Sequence, residues 1–133
     1  KIFNKETKVS SIEGRKKITQ KLKNIKNINP LLKTKFSDRL YGHLYPVLIV
    51  NYLRQYYKFK DMRVTLDKNI NYYRPQNKFV QKYKDNYCVV EVKTPVDFSD
   101  DELEKVMYLT TNRFSKYTRG ITITKGINSE PNI

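Results

Sequence analysis

The stretch VLIVNYLRQYYKFKDMRVTLDKNINYY, Val47 to Tyr73, decides how this chain folds. It is rich in β-branched and aromatic residues, and its apolar and polar positions alternate with a period of two over most of its length. Val47–Tyr57 and Met62–Tyr73 read as consecutive antiparallel strands joined through Lys58-Phe59-Lys60-Asp61. Alternation sorts each strand into two faces. In the second strand Arg63, Thr65, Asp67 and Asn69 fall on one side, and Val64, Leu66, Lys68 and Ile70 on the other. In the first, Tyr52, Arg54 and Tyr56 lie together, opposite Asn51, Leu53 and Tyr57.

Tyr87–Thr94 reads as a third strand ended by Pro95. Its apolar side holds Cys88, Val90 and Val92, which marks Cys88 as a core residue, while Glu91 and Lys93 share the other side with Tyr87 and Val89. The polar faces therefore gather two arginines, a lysine, a glutamate and an aspartate on neighbouring strands, unlike the Lys/Glu/Ser/Thr mixture of an ordinary solvent face. Converging, Arg54 and Arg63 would grip phosphate oxygens in forked contacts, and Glu91 would hold a divalent cation that neutralises the same phosphates. A site of that kind takes metal-bound phosphate chains.

Outward from these strands, the first 36 residues carry 11 basic residues against Glu6 and Glu13. Ile18, Leu22, Ile25 and Ile28 recur at spacings that predict an amphipathic helix ending before Asn29-Pro30, with Lys16, Lys17, Lys21, Lys23 and Lys26 on its solvated face. Asp97–Glu104 packs five acids into eight residues, and Ser99 with Glu102 three positions on forms a capping box before Leu103, Val106 and Met107. Those carboxylates suit a helix N-terminus better than a metal site. Gly120–Lys125 reads as one more short strand, and 126–133 as a loose end. The expected fold class is α+β: an antiparallel sheet with flanking helices, in which 1–36 form a basic strand/helix segment and 47–125 the sheet plus a capping helix.

The whole chain has 133 residues and a net charge of +14, enough for one modest core and directed toward polyanions. No apolar run approaches the roughly 18 residues of a membrane-spanning helix. The single Cys88 and single His43 exclude an intramolecular disulfide and a Cys/His zinc site, which suits a reducing compartment. His43 sits in a turn with no carboxylate partner evident. The chain starts at Lys1 without a signal sequence and reads as an excised piece.

Four blocks in order resemble a known family: Leu44-Tyr45-Pro46 with Val50-Asn51-Tyr52-Leu53-Arg54, then Arg63-Val64-Thr65-Leu66-Asp67, then Val90-Glu91-Val92-Lys93, then Phe114-Ser115-Lys116-Tyr117. They look like the C-terminal half of the VTC domain, which is found in polyphosphate polymerases among the triphosphate tunnel metalloenzymes. The resemblance runs from Phe3 to Ile121. It implies about half of a β-barrel whose polar residues point into a tunnel and whose apolar ones point out, completed by a missing N-terminal half or by a second chain.

It implies further that Arg54, Arg63 and Lys116 act in catalysis and bind substrate with Tyr52, Lys93, Ser115 and Tyr117, and that Glu91 binds a divalent metal, manganese or magnesium. Asp67 matches a family position of less defined role, and one of Arg15, Lys16 and Lys17 would supply a further tunnel base. ATP and polyphosphate, or another phosphate-rich polyanion, are the implied partners. The implied location is cytoplasmic, at the face of a membrane when other parts of a longer protein anchor it.

The function expected on this basis is metal-dependent phosphoryl transfer from ATP to a polyphosphate chain. It needs no Walker-type glycine loop, and the four glycines form none. Two rivals stand beside it. One is a non-catalytic module that binds polyphosphate or RNA, with Tyr56-Tyr57 or Tyr72-Tyr73 stacking on bases. The other is a metal-dependent triphosphatase.

Overall fold

A computed structural model describes residues 3–11, 14–22, 29–75, 81–108 and 110–126. The chain divides into two compact units, Lys1–Pro46 and Val47–Ile133, each treated by itself below.

In the first unit β1 (Phe3–Ser11) and β2 (Gly14–Leu22) form an antiparallel hairpin with Thr7 opposite Ile18. This corrects the helix expected from Ile18 onward. Ile18 and Leu22 fit a strand as readily as a helix, because Gln20 between them and Lys17, Thr19 and Lys21 alternate with them. A full ladder to β1 then decides the conformation. Ile25 and Ile28 lie outside the described residues. Lys17 Nζ meets Glu6 Oε1 at 2.7 Å, an exposed pair of small energetic weight. After the short helix α1 (Asn29–Leu32), β3 (Phe36–Asp38) and β4 (Gly42–Leu44) make a second hairpin. Asp38 Oδ1 accepts from the Leu40 and Tyr41 amides at 2.9 and 3.0 Å, closing the turn.

The second unit is built on β5 (Ile49–Phe59) and β6 (Met62–Tyr73), the two strands expected from the sequence. Their connection is tighter than Lys58–Asp61: Phe59 already pairs with Met62, and Lys60 takes a positive φ of 51° at the turn. β6 is the centre of the sheet. Its far edge is shared by β7 (Tyr83–Lys84), paired at Asn71 and Tyr72, and β8 (Val89–Lys93), paired from Arg63 to Asp67. The helices α2 (Asp100–Met107) and α3 (Lys116–Thr124) follow. Among the described residues the sheet is open, so the α+β class stands without a closed barrel.

A β-bulge alters the face assignment. Asn51 pairs with Asn71 but Leu53 with Lys68, so Asn69 and Ile70 together oppose the single Tyr52. Asn69 adopts a φ of 53°, a left-handed conformation that Asn tolerates better than most residues. Beyond it the parity of β6 switches. Ile70 and Tyr72 therefore join the face of Thr65 and Asp67, not the opposite face that strict alternation gives. Ile70, Tyr72 and Asp67 have no exposed surface, and Thr65 is 5% exposed. The alternate positions are open by comparison: Leu53 is 63% exposed, Tyr57 50% and Val90 48%. This face is therefore covered around Thr65, Asp67, Ile70 and Tyr72 and open toward Tyr56, which is 69% exposed, and Arg63.

The helix α3 overturns the strand expected at Gly120–Lys125. Ser115 Oγ caps it by accepting from the Thr118 amide at 3.3 Å, and packing overrides the β-branched run Ile121–Thr124. Thr122 Oγ1 donates to the Thr118 carbonyl at 3.0 Å, which satisfies one hydroxyl inside the helix. Gly120 is required where α3 crosses the sheet: a Cβ there would lie 2.5 Å from Tyr72 Cδ1 and 2.7 Å from Leu48 Cδ2. In α2 the capping box is present, with Ser99 Oγ accepting from the Glu102 amide at 3.2 Å and Glu102 Oε2 accepting from the Ser99 amide at 2.9 Å. Cys88, expected in the core, is exposed just before β8 begins.

Candidate functional site

Register across β5, β6 and β8 assembles the site one rung at a time. Arg54, Asp67 and Val89 form one rung, Tyr56, Thr65 and Glu91 the next, and Lys58, Arg63 and Lys93 the third. Directly opposed residues share a face, so all nine side chains lie on the face of Thr65 and Asp67, buried at those two residues and exposed at Tyr56, Lys58, Arg63 and Lys93. Lys116, the first residue of α3, is brought to the same place because that helix packs over Tyr72 and Leu48 at the adjoining end.

Asp67 organises the first rung. Its Oδ1 accepts from Arg54 Nε at 2.6 Å and its Oδ2 from Arg54 Nη2 at 2.7 Å, while Lys116 Nζ reaches Oδ2 at 2.6 Å. The hydrogen bonds from Arg54 hold the Asp67 carboxyl below the usual carboxylate range; burial opposes them and Lys116 adds to them. Arg54 is shifted up by the same bonds, against desolvation. Tyr52 lies beside both cations, with its ring centroid 5.2 Å from Arg54 Cζ and 5.2 Å from Lys116 Nζ. Glu91 stands across the central strand, 3.7 Å from Arg54 Nη2 and 3.6 Å from Lys93 Nζ.

The structure therefore joins Tyr52, Arg54, Glu91, Lys93 and Lys116 in one contact network through Asp67. Arg63 is on the same face two positions from Thr65, exposed, and without an ion pair among the described residues. Ser115 is engaged as the cap of α3, and Tyr117 is 58% exposed and outside the network. Lys16 and Lys17 belong to β2 in the other unit, with Lys17 paired to Glu6; the side chain of Arg15 is outside the described set. His43 lies in β4, its Nδ1 3.4 Å from Ser37 Oγ.

Two features were missed from the sequence. The first is Lys58, assigned to the connection but paired in register with Arg63; counting a two-residue turn would have placed it. The second is a buried lock under α3. Asp85 accepts from Arg119 Nε at 2.7 Å, Arg119 Nη2 at 2.9 Å, Tyr72 Oη at 2.9 Å and the Tyr87 amide at 3.2 Å. Burial pushes the Asp85 carboxyl up, but the Arg119 and Tyr72 bonds prevail and hold it low. Burial, followed by Asp85, pushes the Tyr72 phenol up. Reading α3 as a helix would have shown Arg119 one turn from Lys116, on its side of the helix.

The VTC domain model matches residues 2–125. The chain belongs to the VTC domain family. The match takes in both units and every residue of the network, and it points to a polyphosphate-related function. No curated protein and no solved structure matches the chain. Within this VTC domain the third rung sets three cations, Lys58, Arg63 and Lys93, side by side across three strands. Like charges directly opposed in a sheet cost stability. Across the site five cations, Arg54, Lys58, Arg63, Lys93 and Lys116, face the two carboxylates of Asp67 and Glu91. Such a surface suits a polyanionic ligand that supplies the missing negative charge.

Among the described residues no three His, Cys, Asp or Glu side chains cluster as a metal site. Glu91 is nevertheless 42% exposed at its side chain, and its cationic neighbours stand at 3.6 Å or more. One accessible carboxylate beside a row of cations fits the way magnesium or manganese is held through a single protein carboxylate plus substrate phosphates. Asp67, saturated by Arg54 and Lys116, does not fit that role. No helix among the described residues is long and apolar enough to cross a membrane.

Proposed function

We propose that this VTC domain is of the polyphosphate polymerase type and transfers phosphoryl groups from ATP to a polyphosphate chain along the charged face of β5, β6 and β8. The observation that carries the reading is the row Lys58–Arg63–Lys93: three cations in register, adjoining the Arg54–Asp67–Lys116 cluster. In the transfer, a terminal oxygen of the growing chain attacks the γ-phosphorus of ATP. One P–O–P bond forms, the β,γ-bridge breaks, and ADP leaves. Phosphoryl transfer needs little covalent help from side chains, so the work of Arg54, Arg63, Lys93 and Lys116 is to align two polyanions and offset their repulsion. Glu91 would hold a magnesium or manganese ion, which when bound supplies charge neutralisation at the phosphate oxygens.

The residues also bear on the rivals. Tyr72 is fully buried and bonded to Asp85, which withdraws it from any role in stacking on bases. Tyr56 is 69% exposed on the charged face and would serve an RNA-binding module, but a carboxylate at Glu91 in the same rung works against a nucleic-acid backbone. Incubation of the full chain with ATP and Mn2+ tests the reading. Polyphosphate with ADP supports the polymerase, orthophosphate with ADP and no polyphosphate indicates a triphosphatase, and tripolyphosphate binding without turnover leaves a binding module. Failure to bind tripolyphosphate in either metal overturns all three phosphate readings.

A further inference from the structure

The middle rung holds a polar atom with no partner. Thr65 Oγ1 is buried, in a residue 5% exposed, and makes no hydrogen bond. A buried hydroxyl without a partner keeps an uncompensated desolvation cost, and valine would fill the same volume on a strand without that cost. The position of the hydroxyl is specific. Thr65 is on the central strand, with Tyr56 opposite on β5 and Glu91 opposite on β8, and with Arg63 and Asp67 two residues away on the same face.

The charged network passes beside it on both neighbouring strands. Arg54 on β5 and Glu91 on β8 flank β6, and their 3.7 Å contact spans the central strand at the level of Asp67 and Thr65. That contact is long and both partners are partly exposed, so it is weak. With Arg54 held on Asp67, a cation that draws Glu91 away would part these two side chains and open the strand between them to a phosphate oxygen.

We propose that Thr65 is a substrate-contacting residue, its Oγ1 donating a hydrogen bond to a non-bridging oxygen of the bound phosphate chain when Arg54 and Glu91 engage that chain. This rests on the reading of the face as a phosphate-binding surface. The hydroxyl then acts as a neutral donor at the midpoint of the cationic rungs, where it fixes the register of a chain that lysine and arginine alone hold through charge. A donor to an anionic oxygen is stronger than one to a neutral acceptor.

The test is Thr65→Val, which keeps shape and removes the donor, beside Thr65→Ser, which keeps the donor, and Arg63→Ala as a control on the face. Tripolyphosphate binding with Mg2+ is measured by calorimetry on the full chain, and thermal midpoints are taken without ligand. The expected result is about tenfold weaker binding in Thr65→Val, a ligand-free midpoint equal to or above that of the parent, and near-parent binding in Thr65→Ser. Unchanged binding in Thr65→Val together with a clear loss in Arg63→Ala overturns the proposal and leaves the face reading intact. Unchanged binding in both variants overturns the face reading and the proposal with it.

Discussion

Arg54 and Asp67 sit directly opposite each other on β5 and β6 and share two parallel bonds of 2.6 and 2.7 Å, with the carboxylate wholly buried and the arginine partly open. Forked geometry of this kind fixes both partners in orientation as well as in charge. Lys116 shares the same carboxylate at 2.6 Å, so a single acid sets the position of two cations drawn from a strand and from a helix start. The cations are held in advance of any ligand, which lowers the ordering cost of binding one.

Removing that acid separates stability from binding. Asp67→Asn leaves Arg54 and Lys116 without their counter-charge, a change that costs about 3–5 kcal/mol when a buried pair is broken. Added tripolyphosphate should restore the lost midpoint by more than it raises that of the parent, because the ligand replaces the missing anion. Thermal scans with and without tripolyphosphate check this, and an equal ligand response in both proteins would count against it.

The cationic rung should show the opposite balance. Arg63→Gln relieves the opposition of Arg63 to Lys58 and Lys93 and should raise stability by about 0.2–1 kcal/mol at low salt. The gain should shrink as NaCl screens the row. Denaturant midpoints at low and high NaCl measure it, and a loss of stability at low salt would refute the repulsion argument.

Gly120→Ala tests how tightly α3 is seated. The added methyl would meet Tyr72 Cδ1 at 2.5 Å, and the ring cannot yield freely because its hydroxyl is bonded to Asp85. Overpacking of this kind costs about 1–3 kcal/mol. The shift of α3 should also weaken tripolyphosphate binding through Lys116, so a variant destabilised but binding normally would dissociate helix position from the site.

Acid should unfold the second unit from pH 4 downward. Asp67 is lowered mainly by Arg54; Asp85 is pushed up by burial but lowered by more through Arg119 and Tyr72. A carboxylate with a depressed folded value contributes its full stabilisation above its ordinary value near 3.8 and loses it as the pH falls toward the folded value. The slope is about 1.4 kcal/mol per pH unit for each group. Urea titrations between pH 6 and pH 2 should show a flat region and then this fall, and Asp85→Asn should flatten part of it.

Alternation put Arg63 with Asp67, and Glu91 with Lys93, on one side of their own strands and Arg54 on one side of its strand, since a two-residue period is a local property; the ladder register joins those sides into one face. The order of the four motif blocks identified the family. What could not be read came from longer range. Ile18 and Leu22 satisfy both periods, and only the β1 ladder selects the strand. The run Ile121–Thr124 has strand preference, and only its seat on Tyr72 and Leu48 makes it helical. Asp85, Tyr72 and Arg119 are 13 and 34 residues apart in pairs, a separation that no local pattern reports.

The bulge at Asn69 acts as a ruler. Before it, β6 gives the three rungs of Arg63, Thr65 and Asp67 to charge and polarity; after it, the same face turns to Ile70 and Tyr72. At about 3.3 Å per residue those rungs measure roughly 13 Å from Arg63 to Asp67. Moving the bulge two positions along the strand would lengthen or shorten that measure by one rung. On the phosphate-binding reading proposed above, the length of anion that this strand can grade is written in the place where its pairing slips.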